Sequence, residues 1–226
     1  MSLMFNDLDF KTIAEIKTET IWPPAYSPVI GLIPYIKRMK TNVRGLIGIE
    51  IGTERGESAY QILDECKSVD KLYTIDPYKE YQNWNGVVEQ ENLDKFKKIA
   101  EKNLLIFGER VTMIQMTSKE AYERLLFTVE DKINHYINHY VNDTERKLPT
   151  NNEMADFIFI DGSVEYDDLL FDYTNWYKRL KVGGLFMGHN YQMDNVRKAL
   201  LDFRNNEKVR IPINRVDNFS FMWVKQ

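Results

Sequence analysis

Short apolar segments alternate with amphipathic segments from residue 45 to the end of the chain. Five of the apolar segments have the length and continuity of strands that are buried on both faces of a sheet. They are residues 45–52, 71–77, 110–116, 155–162 and 183–191. Apolar positions at helical spacing follow most of them, at residues 57–66, 89–107, 166–180 and 196–206. This alternation predicts a parallel sheet with helices on both faces.

Two further apolar segments close the chain without a helix between them. Residues 209–216 and 219–226 are predicted to form strands joined by a short turn. Because hairpin strands run antiparallel, one antiparallel strand should join the sheet. The expected fold is therefore α/β, with a seven-stranded, mostly parallel sheet, helices on both faces and a C-terminal antiparallel hairpin strand.

The N-terminal segment, residues 1–43, departs from the alternation. It contains two short helical patterns separated by Trp22-Pro23-Pro24, where the prolines stop a helix. The segment is too short to bury a core of its own, so we expect it to pack on a main domain of residues 44–226.

An insert at residues 118–153 separates the third predicted strand from the fourth. Its apolar positions predict a helix over roughly 118–142, with Ser118 as N-cap, followed by a polar loop. The insert fits either an elongated crossover helix or a protruding element that covers a site or pairs with a second subunit. The C-terminal hairpin is the other candidate for pairing subunits. Residues 78–88, after the second strand, are predicted to form an aromatic loop.

The candidate chemistry lies directly after the strands, because parallel sheets bind ligands at the carboxyl ends of their strands. The first turn reads E-x-G-x-x-x-G, with Glu50, Gly52 and Gly56. A dinucleotide site would have G-x-G-x-x-G there, with backbone N–H groups on a pyrophosphate. An acid in the turn favours a cationic ligand such as S-adenosylmethionine, which carries an ammonium and a sulfonium group. Asp76, at the end of the second strand, is placed to bind its ribose hydroxyls.

Three segments together resemble the class I S-adenosylmethionine-dependent methyltransferases, which have a Rossmann-like fold. They are "IEIGTERGESAYQIL", "YTIDPY" and "DFIFIDGSVEYDDLLFDYTNWYKRLKVGGLFMGHNY". The last segment is similar to a subgroup with the pattern I-D-G-x-H-x-Y, a Leu-x-x-G-G stretch and G-H-D-Y. The resemblance covers roughly residues 45–225 without the insert.

The resemblance implies roles for individual residues of this chain. Glu50, Gly52 and Gly56 would line the methionine part of the cofactor, with Thr53 and Ser58 in the same turn and helix start. Asp76 would hold the ribose, and Pro77 and Tyr78 would flank the adenine. Thr117 and Ser118 would lie at the adenine edge. Asp161 would face the transferred methyl group.

Two positions depart from the subgroup pattern. The histidine of I-D-G-x-H-x-Y is Val164 here, and the aspartate of G-H-D-Y is Asn190. If the missing histidine is the subgroup's general base, His189 is the obvious replacement. Asp161 and His189 are therefore the candidate catalytic residues.

A divalent metal ion is a second way to activate the group that accepts the methyl. Related catechol-type O-methyltransferases bind magnesium through residues that align with Asp161, His189 and Asn190. Magnesium prefers oxygen ligands, so an imidazole in place of the second carboxylate should weaken magnesium and favour a softer ion.

Composition and charge exclude several other classes of protein. The 226 residues are 43% hydrophobic and 28% charged, as in ordinary globular domains. A net charge of −4 makes nucleic acid an unexpected partner, and the single cysteine, Cys66, excludes an intrachain disulfide. No apolar run reaches the length of a membrane span, and the N-terminus lacks signal-peptide features. We expect a cytoplasmic protein.

Three functions are therefore weighed. The first is methyl transfer from S-adenosylmethionine to a hydroxyl group of a small molecule. The second is a non-catalytic S-adenosylmethionine-binding or assembly protein on a methyltransferase scaffold, which the departures at Val164 and Asn190 motivate. The third is an NAD-dependent oxidoreductase, against which the missing G-x-G-x-x-G argues.

Overall fold

The computed structural model describes residues 28–39, 45–83, 86–124 and 155–226. The strands are β1 (Leu46–Ile51), β2 (Val69–Ile75), β3 (Tyr81–Asn83), β4 (Gly86–Val88), β5 (Val111–Ile114), β6 (Ala155–Ile160), β7 (Leu180–Gly188), β8 (Asn214–Arg215) and β9 (Phe221–Val224). The helices are α1 (Ile33–Arg38), α2 (Glu57–Glu65), α3 (Gln90–Leu104), α4 (Tyr166–Arg179) and α5 (Asp194–Asn206). A 3₁₀ helix, Leu105–Arg110, follows α3, and residues 118–124 are also helical.

Seven strands form one sheet in the order β5-β2-β1-β6-β7-β9-β8. The first five in this order pair in parallel, whereas β9 is antiparallel to both β7 and β8. The prediction of a mostly parallel sheet with a C-terminal antiparallel hairpin is thus confirmed. The chain runs outward from β1 through β2 to β5 and then returns to β6 on the other side of β1. This change of direction opens a crevice at the carboxyl ends of β1 and β6.

Each face of the sheet carries its own hydrophobic core. Along β6, Ile158 and Ile160 belong to the core beneath α4 and α5, whereas Phe157 and Phe159 belong to the core beneath α1 and α2. Successive side chains of a strand point to opposite faces, so a strand covered on both sides is apolar at every position. This explains why "ADFIFI" shows no polar alternation.

The described part of the N-terminal segment lies on the second of these cores. Val29, Leu32, Ile33 and Ile36 are all buried in it. Lys37 forms an ion pair with Glu65 at the end of α2, with 2.7 Å between Nζ and Oε2. The earlier part of the segment, including Trp22-Pro23-Pro24, lies outside the described residues.

The N-cap of the insert helix lies one residue earlier than expected. Ser118 is itself helical, and Thr117 precedes the helix as its N-cap. The Thr117 hydroxyl accepts a hydrogen bond from the N–H of Glu120 (3.2 Å), and the Glu120 carboxylate accepts one from the N–H of Thr117 (2.9 Å). This reciprocal pair is a capping box, so the prediction of Ser118 as N-cap was wrong. Residues 125–142 of the expected helix lie outside the described part of the chain.

Three boundaries also differ from the sequence pattern. The expected loop at 78–88 contains a two-stranded hairpin, β3–β4. The predicted strand 209–216 is reduced to β8, because Pro212 just before it offers no N–H to a sheet. β7 begins at Leu180 and ends at Gly188, so His189 and Asn190 lie in the turn after the strand.

Candidate active site

The turns after β1, β2, β6 and β7 meet at one edge of the sheet. The N–H of Gly52 donates to the carbonyl of Ile75 at the end of β2 (2.8 Å). On the other side, the N–H of Asp161 donates to Ile51 (2.8 Å), and the N–H of His189 donates to Ile160 (3.1 Å). The expected site residues of these turns therefore lie next to one another.

Gly52 makes the closest backbone approach in the first turn. Its φ is +95°, and a Cβ atom added there would stand 2.2 Å from the carbonyl oxygen of Asp161. No side chain fits between two backbones at that distance. Gly56 follows with a φ of +78° immediately before α2, a conformation that glycine adopts without strain. Both glycines of E-x-G-x-x-x-G are thus required by the shape of the turn.

Glu50 is a buried carboxyl group with an incomplete set of partners. Its side chain is 1% exposed, and its Oε2 accepts a hydrogen bond of 2.5 Å from the hydroxyl of Thr74, which is also bonded to the hydroxyl of Thr53. The Oε1 atom has no hydrogen-bond partner within the described part of the chain. Burial raises the pKa of Glu50 to about 8, with the Thr74 hydrogen bond opposing the shift. A buried, half-satisfied carboxyl group suits a cationic ligand, whose charge would favour its ionised form.

Asp76 and Tyr78 hold the first turn in place from the end of β2. The Asp76 carboxylate accepts hydrogen bonds from the N–H of Glu54 (2.9 Å) and of Tyr78 (2.8 Å). The Tyr78 hydroxyl donates to the carbonyl of Glu54 (2.9 Å). A carboxylate has about four acceptor positions, so Asp76 retains capacity for two hydroxyl groups. Tyr78 is buried, and burial raises the pKa of its hydroxyl.

Thr117 and Ser118, expected at the adenine edge, have their hydroxyl groups engaged within the protein. Thr117 belongs to the capping box described above. The Ser118 hydroxyl donates to Asp172 and accepts from Nε1 of Trp176 (2.6 Å). Burial raises the pKa of Asp172 to about 7. These contacts anchor the start of the insert helix on α4.

An open cavity of about 450 Å³ lies on the other side of this helix start. It is lined by Lys79, Gln115, Met116, Glu120, Glu123 and Arg124. Of the remaining expected residues in this region, Ser58 is buried in the first turn of α2 and Pro77 is half-buried.

Asp161 and His189 form a pair at the ends of β6 and β7. The Nδ1 atom of His189 lies 3.1 Å from Oδ1 of Asp161, and the two side chains are only 11% and 15% exposed. Burial raises the pKa of Asp161, and the hydrogen bond and charge of His189 oppose that rise. A carboxylate at Nδ1 fixes the imidazole tautomer with its proton on that nitrogen. Nε2 then carries the lone pair that can accept a proton.

Val164 and Asn190, the two residues that depart from the subgroup pattern, have different surroundings. Val164 packs against the core beneath α4 and α5. Asn190 adopts a φ of +60°, and its carbonyl accepts the N–H of Met193 (2.9 Å). No group of three or more His, Cys, Asp or Glu side chains is arranged to hold a metal ion among the described residues.

Sequence reasoning overlooked Thr74, which is the hydrogen-bonding partner of Glu50. A signal was present, because Thr74 is a polar residue in a buried strand and pairs in register with Glu50 on the neighbouring strand. Phe219 was also missed. Its ring centroid lies 6.1 Å from that of His189, and its carbonyl accepts the N–H of Tyr191 (2.8 Å). No local pattern marks it, because it comes from the distant β8–β9 turn.

The strand order and the glycine turn at the end of β1 define a Rossmann-like fold of the class I methyltransferase type. Residues 49–191 match a family model described as a methyltransferase domain. This match covers more than half of the chain, and the protein belongs to that methyltransferase family. No helix of the described residues has the length and apolar character needed to cross a bilayer.

Solved structures with the same fold include proteins of different activity. One is the O-methyltransferase TomG from Streptomyces achromogenes, solved with S-adenosylmethionine (15% identity, 96% of this chain and 89% of that chain, TM-score 0.52). A putative caffeoyl-CoA O-methyltransferase from Staphylococcus aureus is 20% identical (96% and 91%, TM-score 0.52). A precorrin 8w decarboxylase from Methanobacterium thermoautotrophicum is 12% identical (90% and 93%, TM-score 0.53). At these identities the similarity shows the fold alone. No curated protein matches the sequence significantly.

Proposed function

We propose that this methyltransferase binds S-adenosylmethionine in the turns after β1 and β2 and transfers its methyl group to a hydroxyl group of a small molecule. The observation that carries the proposal is the partly buried Asp161–His189 pair beside the glycine turn. A hydroxyl acceptor benefits from a general base, and this pair supplies one. The fold is also that of TomG, an O-methyltransferase solved with S-adenosylmethionine.

The first turn has the features that the cofactor needs. Glu50 offers a carboxylate oxygen that has no hydrogen-bond partner among the described residues, which suits the cofactor's ammonium group. Gly52 and Gly56 allow the positive φ angles of the turn, and Gly52 packs directly against the Asp161 backbone, so the turn is held close to the end of β6. Asp76 retains acceptor positions for the ribose hydroxyls. The cavity beside Gln115 and Met116 offers room for the adenine.

S-adenosylmethionine supplies a methyl group that is already activated by its sulfonium sulfur. The protein therefore has mainly to align the acceptor and exclude water. Asp161 holds His189 in one tautomer and stabilises the imidazolium that forms when Nε2 accepts the hydroxyl proton. As the acceptor oxygen bonds to the methyl carbon, the carbon–sulfur bond would break and leave the neutral thioether. The hydroxyl proton would pass to Nε2 and remain on His189 until solvent removes it.

Calorimetric titration with S-adenosylmethionine, followed by a labelled-methyl transfer screen over small hydroxyl compounds, tests the proposal. We expect micromolar binding, transfer to at least one acceptor class, and loss of transfer in His189→Gln with binding retained. Binding without transfer to any acceptor would favour the non-catalytic alternative. Failure to bind the cofactor would refute the proposal.

A further inference from the structure

The β8–β9 turn lies at the same sheet edge as the Asp161–His189 pair. One row of paired residues crosses four strands there, from Ile160 to Gly188, to Phe221 and to Arg215. Asp161 and His189 directly follow the first two members of this row. Because β9 is antiparallel to β7, the β8–β9 turn projects from the edge where the parallel strands end. Residues 216–220 are thereby brought beside the candidate base.

Hydrogen bonds of its backbone N–H and carbonyl groups hold Phe219 in this turn. Oδ1 of Asp217 accepts the N–H groups of Phe219 (2.7 Å) and Ser220 (2.6 Å). The Phe219 carbonyl accepts the N–H of Tyr191, two residues after His189. The Ser220 hydroxyl donates to the carbonyl of Pro28 (3.2 Å), which ties the turn to the N-terminal segment. Phe219 as a whole nevertheless remains 39% exposed.

Arg215 adds a positive charge next to the ring of Tyr191. Its guanidinium carbon lies 5.4 Å from the centre of the Tyr191 ring, a cation–π distance that orients the side chain. Within the described ranges, no carboxylate forms an ion pair with Arg215. The neighbouring Arg197 differs, because it donates to the carbonyls of Tyr191 and Gln192 and pairs with Asp194. Arg215 is thus the better placed of the two to bind an anionic group.

We propose that Phe219 and Arg215 form the acceptor subsite and select a hydroxyl compound with a planar apolar ring and an anionic substituent. The ring packs on Phe219, the hydroxyl group reaches His189, and the anion pairs with Arg215. Two strand spacings, roughly 10 Å, separate β7 from β8. A hydroxybenzoate molecule and an extended arginine side chain are together long enough to reach from His189 to Arg215 across this distance. This inference rests on the proposed function, because it takes His189 as the reaction point.

Equilibrium binding tests the inference without requiring turnover. The protein is saturated with S-adenosylhomocysteine and titrated with para- and meta-hydroxybenzoate and with the corresponding neutral hydroxybenzamides. We expect a hydroxybenzoate to bind more tightly than its amide. Arg215→Gln should weaken hydroxybenzoate about 10- to 100-fold, the range for a hydrogen bond to a charged group, and leave the amide unchanged. Arg210→Gln removes the same charge from another exposed position and should change neither affinity.

The aromatic contact has its own variants. Phe219→Ala should weaken both the benzoate and the benzamide about tenfold, as expected for a lost ring contact, and Phe219→Tyr should restore binding. Leu201→Ala, at an exposed apolar residue of α5, is the matched control and should have no effect.

Three results would overturn the inference while the proposed function stands. In the first, the protein binds S-adenosylhomocysteine but neither hydroxybenzoate. In the second, it binds a hydroxybenzoate and the corresponding hydroxybenzamide with equal affinity. In the third, Arg210→Gln and Arg215→Gln weaken hydroxybenzoate binding equally. Failure to bind S-adenosylhomocysteine would instead refute the proposed function, and the inference with it.

Discussion

The Nδ1 atom of His189 lies 3.1 Å from Oδ1 of Asp161, although the two residues are 28 positions apart in the chain. The parallel pairing of β6 with β7 creates this contact, because Ile160 and Gly188 are in register and each residue of the pair directly follows one of them. The pair therefore stands on two central strands of the sheet, where a base can be held in a fixed orientation.

His189→Gln should lower kcat for methyl transfer about 10²- to 10⁴-fold, the usual contribution of a general base. Asp161→Asn should also lower it, because an amide that donates to Nδ1 favours the other tautomer. Neither change should alter the stoichiometry of S-adenosylmethionine binding, which calorimetry measures alongside initial rates. An unchanged kcat in His189→Gln would show that this histidine is not the base.

Binding of S-adenosylmethionine at pH 7 should release a proton from the protein. Glu50 has a pKa of about 8 in the folded protein, so it is mostly protonated at pH 7, and a bound cation favours its ionised form. The affinity should accordingly rise with pH up to about 8 and level off above it. Calorimetry at pH 7 in buffers of different ionisation enthalpy counts the released protons.

Glu50→Gln is the matched control. This variant should bind S-adenosylmethionine weakly, and binding should release no proton from residue 50. A heat of binding that is independent of buffer in the unmodified protein would contradict the assignment. Thr74→Val should move the midpoint of the pH dependence upward, because the Thr74 hydrogen bond lowers the pKa of Glu50.

The stability of the ligand-free protein should fall between about pH 4.5 and pH 8 because of the same group. Over this range Glu50 is ionised in the unfolded chain but protonated in the folded protein, so the unfolded state binds fewer protons and the free energy of unfolding decreases as pH rises. Below and above this pH window, Glu50 does not change the free energy of unfolding as pH changes. Urea unfolding of the native protein and of Glu50→Gln should diverge across this window. Parallel curves would disprove the pKa shift.

Asp76→Asn and Tyr78→Phe should separate ligand binding from support of the turn. Tyr78→Phe removes the hydroxyl that donates to Glu54 and leaves Asp76 in place, so we expect a loss of about 1 kcal/mol in the free energy of unfolding and little change in cofactor affinity. If Asp76 binds the ribose hydroxyls as proposed, Asp76→Asn should weaken S-adenosylmethionine binding at least about tenfold, because a charged acceptor would be lost. Equal losses of affinity in the two variants would mean that Asp76 acts only by holding the turn.

Gly52→Ala should be far more destabilising than Gly183→Ala. Both residues have positive φ, +95° and +82°. A Cβ on Gly52 would face backbone atoms, whereas a Cβ on Gly183 would meet no atom of the described residues within 4 Å. Gly183→Ala should therefore cost about 1–2 kcal/mol, the strain of a left-handed alanine. Gly52→Ala adds a steric clash with the Asp161 carbonyl and should cost more than that. Thermal unfolding of the two variants compares them directly, and similar costs would refute the close approach.

Methyl transfer should persist after treatment with EDTA if the Asp161–His189 pair acts as the base. A metal ion held by Asp161, His189 and Asn190 would compete with the hydrogen bond between the first two residues. Activity assays with EDTA, and then with added Mg²⁺ or Mn²⁺, distinguish the two arrangements. Loss with EDTA, recovery with a metal and a weaker metal response in Asn190→Ala would favour metal-assisted transfer.

The sequence determined the alternating elements and the strand ends that carry the candidate chemistry. The apolar run "ADFIFI" specifies a strand buried on both faces wherever it lies in the sheet, and the glycines of the first turn specify its shape. These are local properties, fixed by hydrophobic burial and by backbone sterics. The cap of the insert helix was missed by one residue, because Thr117 and Ser118 are both good caps and only the reciprocal bonds with Glu120 distinguish them.

Only the tertiary structure decided which distant groups face one another. The register of β1 with β2 places the Thr74 hydroxyl on Glu50, and burial of that pair sets the acidity of the carboxyl group. The antiparallel return of β9 brings Phe219 beside His189 and places Arg215 at the same edge of the sheet, which nothing in their own segment indicates. Strand pairing and burial depend on contacts between residues far apart in the chain, so the sequence specified the class of fold and most of the cofactor turn, whereas the folded sheet assembled the surface that the acceptor would meet.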